Sequence, residues 1–314
     1  MAEVHTVFGA GQIGMQLARL LAEQGHQVRL VRRSAAGEAI AGVQWRSGDV
    51  HDRAFVDEAC AGAKVVYNCT NPPDYHRWEG VLAPMYRAVW QAAGRAGARL
   101  VQLDNLYMYG KPETSPFDER TPMRPCSNKG QLRKEVAEEM LAAHADGEVE
   151  VAIGRASDFF GPGTVNGAVF RPDVYERIAK GSTVFTFGNP DMPHSYSYTP
   201  DVARGLMELS RHDEAFGRVW HLPVSAQLTT RELVDRFAAR AGTTVKVRQI
   251  PGWAIRMVGT VWPLMGAIAE MMYQWDIPYL VDDGDFREAF GVESTPLDQA
   301  IDTTLGLSGM AKAA

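Results

Sequence analysis

Cysteine is scarce. Cys60, Cys69 and Cys126 are the only three in 314 residues, and they form no CxxC pair and show no metal-ligand spacing. A scattered, odd-numbered set excludes a disulfide framework, fits a reducing compartment and leads us to expect no metal site. Also missing is any unbroken apolar run approaching the roughly 20 residues that a membrane span requires. The nearest candidate, Pro251 to Trp275, is interrupted by Gly259, Pro263 and Gly266, which argues against stable membrane insertion. A basic excess is absent too: the formal net charge is −6. A nucleic-acid partner would want a basic face, so none is expected. The first residues enter a strand pattern without the features of a signal peptide, and a cytoplasmic location is expected.

What is present begins with an apolar core fraction of 46%, enough for one large or two intimate domains. The run Val7-Phe8-Gly9-Ala10-Gly11-Gln12-Ile13-Gly14 joins a strand pattern (Val4, Thr6, Val7, Phe8) to a helical one (Ile13, Leu17, Leu20, Leu21) through three glycines. That is the context in which a GxGxxG run binds a dinucleotide. Gly9 permits the tight turn, Gly11 lets the main chain approach a pyrophosphate, and Gly14 lets helix and strand pack closely. The phosphates then meet the helix N-terminus, near Gln12 and Ile13, where unpaired N–H groups favour negative charge. A second strand, His26 to Arg33, ends about 20 residues further on, where an acidic residue would grip the ribose of NAD. Arg32 and Arg33 stand there instead, followed by Ser34. Two guanidiniums suit a 2′-phosphate, so NADP(H) is the expected cofactor.

Strand and helix patterns alternate onward. Strands are expected at Gln44–Val50, Lys64–Thr70, Arg99–Asp104 and Val149–Ile153, with helices at Phe55–Cys60, Pro84–Arg95 and Lys129–His144. This spacing implies right-handed crossovers and an α/β, Rossmann-type, doubly wound parallel sheet. Ligands in such sheets bind beyond the carboxyl ends of the strands, which directs attention to Asn68–Asn71 and Asp104–Tyr109.

Several motifs together give the chain a family likeness. The glycine loop, Gly48-Asp49-Val50, Asn105-Leu106-Tyr107-Met108-Tyr109-Gly110, Phe159-Phe160-Gly161-Pro162-Gly163 and Tyr198-Thr199-Pro200-Asp201-Val202-Ala203 resemble the extended short-chain dehydrogenase/reductases, the epimerase/dehydratase group. The resemblance implies that Asp49 and Val50 flank the adenine, that Asn68 and Thr70 approach the nicotinamide ribose, and that the segment after Gly154 passes along the nicotinamide. It also has departures. The family's glycines are usually spaced GxxGxxG. Its catalytic serine falls at Asn105, and its Tyr-x-x-x-Lys matches Gly130 to Lys134, so the lysine is present while the serine and tyrosine are not.

In the usual arrangement the lysine lowers the tyrosine pKa so that the phenol can exchange a proton near neutrality. Here Lys134 is expected to bind the nicotinamide ribose, Asn105 to polarise a carbonyl, and another group to supply the proton. Candidates are Tyr107, Tyr109, Lys129, His194, Tyr196 and Tyr198, with Tyr107 and His194 foremost.

The second half is less regular. Helices are expected at Val169–Lys180, Thr199–Leu209 and Leu233–Ala241, the last behind a Thr229–Glu232 capping-box spacing, with strands at Thr183–Gly188 and Val219–Leu222. The Met- and Trp-rich stretch Pro251–Trp275 is expected to be a core or dimer-facing helix pair first, and an apolar pocket wall second. Ser308 to Ala314 has the composition of a frayed tail. Residues 1–165 plus about 195–224 form the expected dinucleotide domain, interleaved with a smaller, mainly helical substrate portion from about 166–194 plus 225–314. The function expected is an NADP(H)-dependent oxidoreductase acting on a carbonyl or alcohol of an apolar small molecule, in a possible homodimer. The alternatives are a nucleotide-sugar epimerase or dehydratase, or a non-catalytic NADP(H)-sensing regulator.

Overall fold

The computed structural model describes residues 2–165 and 169–307; the tail from Ser308 lies outside them. In chain order the first half runs β1 (Val4–Phe8), α1 (Gly14–Glu23), β2 (Gln27–Arg32), β3 (Val43–Ser47), α2 (Arg53–Cys60), β4 (Val65–Asn68), α3 (Leu82–Arg95), β5 (Arg99–Asp104), α4 (Asn128–Ala145) and β6 (Val151–Arg155). Then come β7 (Asp158–Phe160), α5 (Pro172–Ala179), β8 (Val184–Phe187), β9 (Pro193–Tyr198), α6 (Thr199–Leu209), β10 (Val219–His221), β11 (Ala226–Thr229), α7 (Thr230–Arg240) and β12 (Val247–Ile250). The chain closes with α8 (Gly252–Gly259), α9 (Pro263–Met271), α10 (Gly284–Phe290) and α11 (Leu297–Thr304).

Seven strands make one sheet in the order β10-β6-β5-β4-β1-β2-β3, and every pairing in it is parallel. The strand order reverses between β1 and β4, the switch point at which such sheets open a crevice. Both faces are covered, as near-continuous apolar strands require. On one face α2, α3 and α4 bury Val56, Tyr86, Val89, Val136 and Met140; on the other α1 and α6 bury Leu17, Leu21, Val202 and Leu206.

Local chemistry explains the helix ends. Asp52 caps α2 by accepting from the Ala54 and Phe55 N–H groups, and Ser127 caps α4 by accepting from Gly130 N at 3.0 Å. The capping box at α7 is complete, with Glu232 N donating to Thr229 Oγ1 and Thr229 N to Glu232 Oε2. Helix α3 starts two residues ahead of Pro84, because a proline inside the first turn removes an N–H that has no helical acceptor anyway.

The outer portion is mainly helical but also carries strands. It carries a three-stranded sheet, β11-β9-β7, and a parallel pair, β12-β8, packed with α5 and α7 around Phe170, Phe237 and Tyr196. Between these segments the chain returns to the large sheet through α6 and β10. The stretch Pro251–Trp275, expected as a core or dimer-facing helix pair, is a helix pair that stands mostly outside the core. Helices α8 and α9 fold back on each other where Gly259 meets Gly266, so closely that a Cβ on Gly259 would lie 2.8 Å from the Gly266 Cα. Trp253, Met257, Val261 and Trp262 are 64%, 63%, 84% and 53% exposed. Only Ile255, Ala267 and the residues from Met271 to Trp275 are buried. No helix among the described residues is long and apolar enough to cross a membrane.

Candidate functional site

The glycine loop lies at the switch point. Gly9 has φ +97°, and a Cβ there would fall 2.7 Å from the Cys69 carbonyl, so the loop abuts the end of β4. A Cβ on Gly14 would strike the Gly9 oxygen at 1.9 Å, whereas Gly11 meets nothing within 4 Å. The outer glycines therefore serve close packing and the middle one faces open space. Ile13, buried, precedes α1 without any side-chain cap, and the first turn holds no acidic residue. Uncapped N–H groups beside an open glycine fit a pyrophosphate, and on that observation the residues suit a dinucleotide. Gln12 and Gln16 tie the loop to the segment after β7: Gln12 Oε1 accepts from Val165 N, and Gln16 Nε2 donates to the Pro162 carbonyl and to Thr199 Oγ1.

At the tip of β2, Arg32 Nε donates to Ser34 Oγ at 2.6 Å and its guanidinium lies over Trp45; Arg33 is exposed. Asp49, exposed, accepts from His51 N and shapes its turn, while Val50 packs on the core below. Asn68 is fully buried and committed to structure: it donates to Gln102 Oε1 and accepts from both N and Oγ1 of Thr70. Its expected approach to the ribose is thus corrected, because its polar atoms already order the β4 loop. Thr70 remains at the loop, half-buried.

Beyond β5 and β6 lies a buried charged floor. Asp104 receives Arg133 Nη1 at 3.0 Å and Arg155 Nε at 3.5 Å. Arg133 also donates to Tyr86 Oη and Asn71 Oδ1; Arg155 donates to Tyr109 Oη. His221 Nδ1 meets the Asp282 carbonyl, an acceptor only, so its Nε2 accepts from the Tyr109 hydroxyl. Burial drives the His221 pKa down to about 3. A second carboxylate, Glu119, closes the floor by accepting from His221 N at 2.6 Å.

The helix register corrects the expected Gly130–Lys134 pair. Helix α4 turns Lys129 and Arg133, 5% and 4% exposed, toward the floor, whereas Lys134 lies on the outer face beside Glu138 at 3.9 Å. Nor does Gly130 leave a vacated space. A Cβ there would lie 2.4 Å from the Tyr107 carbonyl oxygen, so glycine is what lets α4 press on the turn after β5. The inward residues spaced like Tyr-x-x-x-Lys are therefore Lys129 and Arg133.

Around Lys129 stands a set of partly buried polar groups. Its Nζ pairs with Glu270 Oε2 at 3.0 Å and lies over the Tyr75 ring at 4.8 Å; the other Glu270 oxygen accepts from Asn128 N. Tyr107 shares a hydrogen bond with Tyr75 at 3.2 Å and stacks on Trp78. Asn105 Oδ1 accepts from Tyr107 N at 3.1 Å, which fixes the direction of its side chain. Burial, with the Asp158 charge adding to it, pushes the Tyr107 phenol up to about 12. The phenol therefore stays protonated near neutrality. His194 lies between Trp275 and Tyr279, with Nε2 2.7 Å from Asp158 Oδ2. Tyr196 is bonded to Thr230, and Tyr198 packs on Phe160. Arg133, Tyr75, Asp158 and Glu270 escaped the sequence reading; only the four-residue spacing of Lys129 and Arg133 could have pointed to one of them.

Comparison with known proteins places this geometry. The model of the NAD dependent epimerase/dehydratase family matches residues 6–222. UDP-glucuronic acid decarboxylase 1 of Xenopus tropicalis is 24% identical over 220 residues, covering 64% of this chain and 52% of that protein. The chain spans about half to two-thirds of the length of the first curated relatives it matches. Among solved structures, WbmH of Bordetella bronchiseptica in complex with NAD+ superposes with a TM-score of 0.73 at 18% identity, covering 98% of each chain. DesIV of Streptomyces venezuelae, a dTDP-glucose 4,6-dehydratase with NAD and TYD bound, gives 0.77 at 17%, covering 99% of this chain and 98% of its own. At these identities the likeness to solved structures establishes the fold alone.

Proposed function

The chain belongs to the NAD dependent epimerase/dehydratase family, and from that premise we propose that it exchanges hydride, through a nicotinamide dinucleotide, with a hydroxyl-bearing carbon of a nucleotide sugar. The observation that carries this reading is the buried Lys129–Arg133 pair, one turn apart on α4, facing the carboxyl ends of β4 and β5. Relatives named for nucleotide-sugar chemistry support it. So does polarity: Tyr75, Tyr107, Lys129 and Glu270 give the region beside α4 a polar rather than an apolar lining.

The bound nicotinamide would supply the hydride exchange. Gly9, Gly11, Gly14 and the α1 N-terminus would hold the pyrophosphate. Arg32 and Arg33, with no carboxylate at that strand end, support NADP(H) over NAD(H). Lys129, held by Glu270, is the charged donor placed at the substrate oxygen. Tyr107, whose phenol stays protonated, donates a hydrogen bond to the same oxygen. Arg133 fixes the Asn71 loop and the β5 end against which both substrates rest.

The test is incubation with NAD(P)+ and a panel of UDP-, dTDP- and GDP-sugars, followed by anion-exchange chromatography of the products and absorbance of the reduced nicotinamide. Conversion of a nucleotide sugar that is lost in Lys129→Gln, with dinucleotide affinity kept, is the expected result. Consumption of NADPH by apolar ketones or quinones alone would overturn the substrate class. Tight dinucleotide binding without turnover of either panel would favour the regulator.

A further inference from the structure

At the opposite, amino-terminal end of the large sheet, three side chains converge for which the reaction has no use. Glu3 precedes β1, His5 lies within it, and His26 ends the turn between α1 and β2. The parallel register of Val4 with Gln27 brings them together. His5 is 3% exposed, its Nε2 lies 3.6 Å from Glu3 Oε2, and its ring centroid is 4.3 Å from that of His26. One ligand atom from each residue falls within 4.8 Å of the other two. Both His5 Nε2 and His26 Nδ1 are buried without a hydrogen-bond partner among the described residues.

The protons around His5 can be assigned from the chain of bonds behind it. The Met207 carbonyl can only accept, so Ser210 Oγ donates to it at 2.6 Å. Ser210 must then accept from the Tyr67 hydroxyl at 2.8 Å. Tyr67, its one proton spent, accepts from His5 Nδ1 at 3.3 Å. His5 Nε2 in the neutral ring is therefore a bare lone pair, buried and turned toward a carboxylate. Two electron-rich atoms held this close repel each other unless a cation stands between them. A proton on Nε2 would answer that one contact and leave His26 Nδ1 unanswered. A metal ion answers all three residues.

We infer that Glu3, His5 and His26 bind one divalent transition-metal ion of the zinc type, which clamps the start of β1 to the α1–β2 turn. Two imidazoles and one carboxylate are a donor set that zinc takes, and ligand atoms around a tetrahedral zinc at about 2.0–2.1 Å stand roughly 3.3–3.5 Å apart. The Glu3–His5 separation is close to that already. An imidazole whose other nitrogen donates to a fixed acceptor is the usual metal-binding form, and the Tyr67–Ser210–Met207 relay supplies that acceptor. The fourth position opens onto a cavity of about 300 Å³ walled in part by Lys64, Arg99 and Arg211, which favours a water or hydroxide there.

The experiment uses the full chain, stripped with chelator and titrated with Zn²⁺ by calorimetry and with Co²⁺ by visible absorption. About one ion per chain, with the intense bands of four-coordinate Co²⁺, is expected. His26→Ala and Glu3→Gln, both at the accessible edge, should weaken binding by about 10²-fold or more, and Tyr67→Phe, which removes only the relay, by about 10- to 100-fold. Dinucleotide binding, measured on the same samples, should be unchanged, since the glycine loop is at the other end of the sheet; that separates loss of the ion from loss of the fold. No binding, or binding that survives all three substitutions and so belongs to other histidines of the chain, overturns the site.

Discussion

Replacing Gly130 by alanine tests whether α4 is packed against the turn after β5 or flanks a space left by a missing phenol. If the space existed, alanine would stabilise the chain by up to about 1 kcal/mol, the helix-propensity difference from glycine. The structure requires the opposite sign. The new Cβ would stand 2.4 Å from the Tyr107 carbonyl oxygen, 2.9 Å from Ser127 Oγ and 3.0 Å from Pro125 Cβ. Two of these neighbours are main chain or ring, and the third is the α4 cap, so none gives way without moving the helix start. Overpacking of this kind costs about 1–3 kcal/mol, and the propensity gain is reduced in the first turn. A net loss of about 1–2 kcal/mol is therefore expected, read as a lower urea midpoint at unchanged slope. The same shift displaces Lys129 and Arg133, so turnover should fall further than stability alone explains. A variant as stable as the parent, or more so, would refute the packing and with it the register that places Lys129 and Arg133 inward.

Three further outcomes are expected. Arg32→Ala with Arg33→Ala should weaken NADP(H) by about 2–4 kcal/mol, from the loss of charge-assisted bonds, with little effect on NAD(H); equal losses in fluorescence titrations would remove the 2′-phosphate assignment. Gly11→Val, at a position facing open space, should leave the thermal midpoint nearly unchanged while abolishing binding of either dinucleotide, and retained affinity by calorimetry would place the pyrophosphate elsewhere. His221 takes up a proton near 6.5 when unfolded but only near 3 in the fold. The unfolded chain thus binds more protons between those values, and stability falls as pH falls through that window; His221→Gln should flatten this slope in denaturation series at successive pH values, and an unchanged slope would show the imidazole to be solvated.

Much of the architecture was legible because it rests on neighbours in sequence. A glycine loop between a strand and a helix, the β5 strand at Arg99–Asp104, helix α6 at Thr199–Leu209 and the Thr229–Glu232 box each follow from side chains a few residues apart. Their alternation then specifies a parallel sheet, since each crossover has one hand. Helix α4 was legible as a helix but not in its facing: Lys129 and Arg133 are charged yet buried, so a polarity pattern assigns them to solvent. The α8–α9 pair misled in the other direction, its apolar residues standing exposed. Tertiary structure alone decided which distant groups meet. Glu270 reaches Lys129 across 141 residues, Asp158 reaches His194 across 36, and His26 reaches His5 because β2 pairs with β1 in one register. Such contacts leave no local trace, because a carboxylate or imidazole has the same preference for a turn or strand whether or not its partner, brought in by the sheet, completes a site.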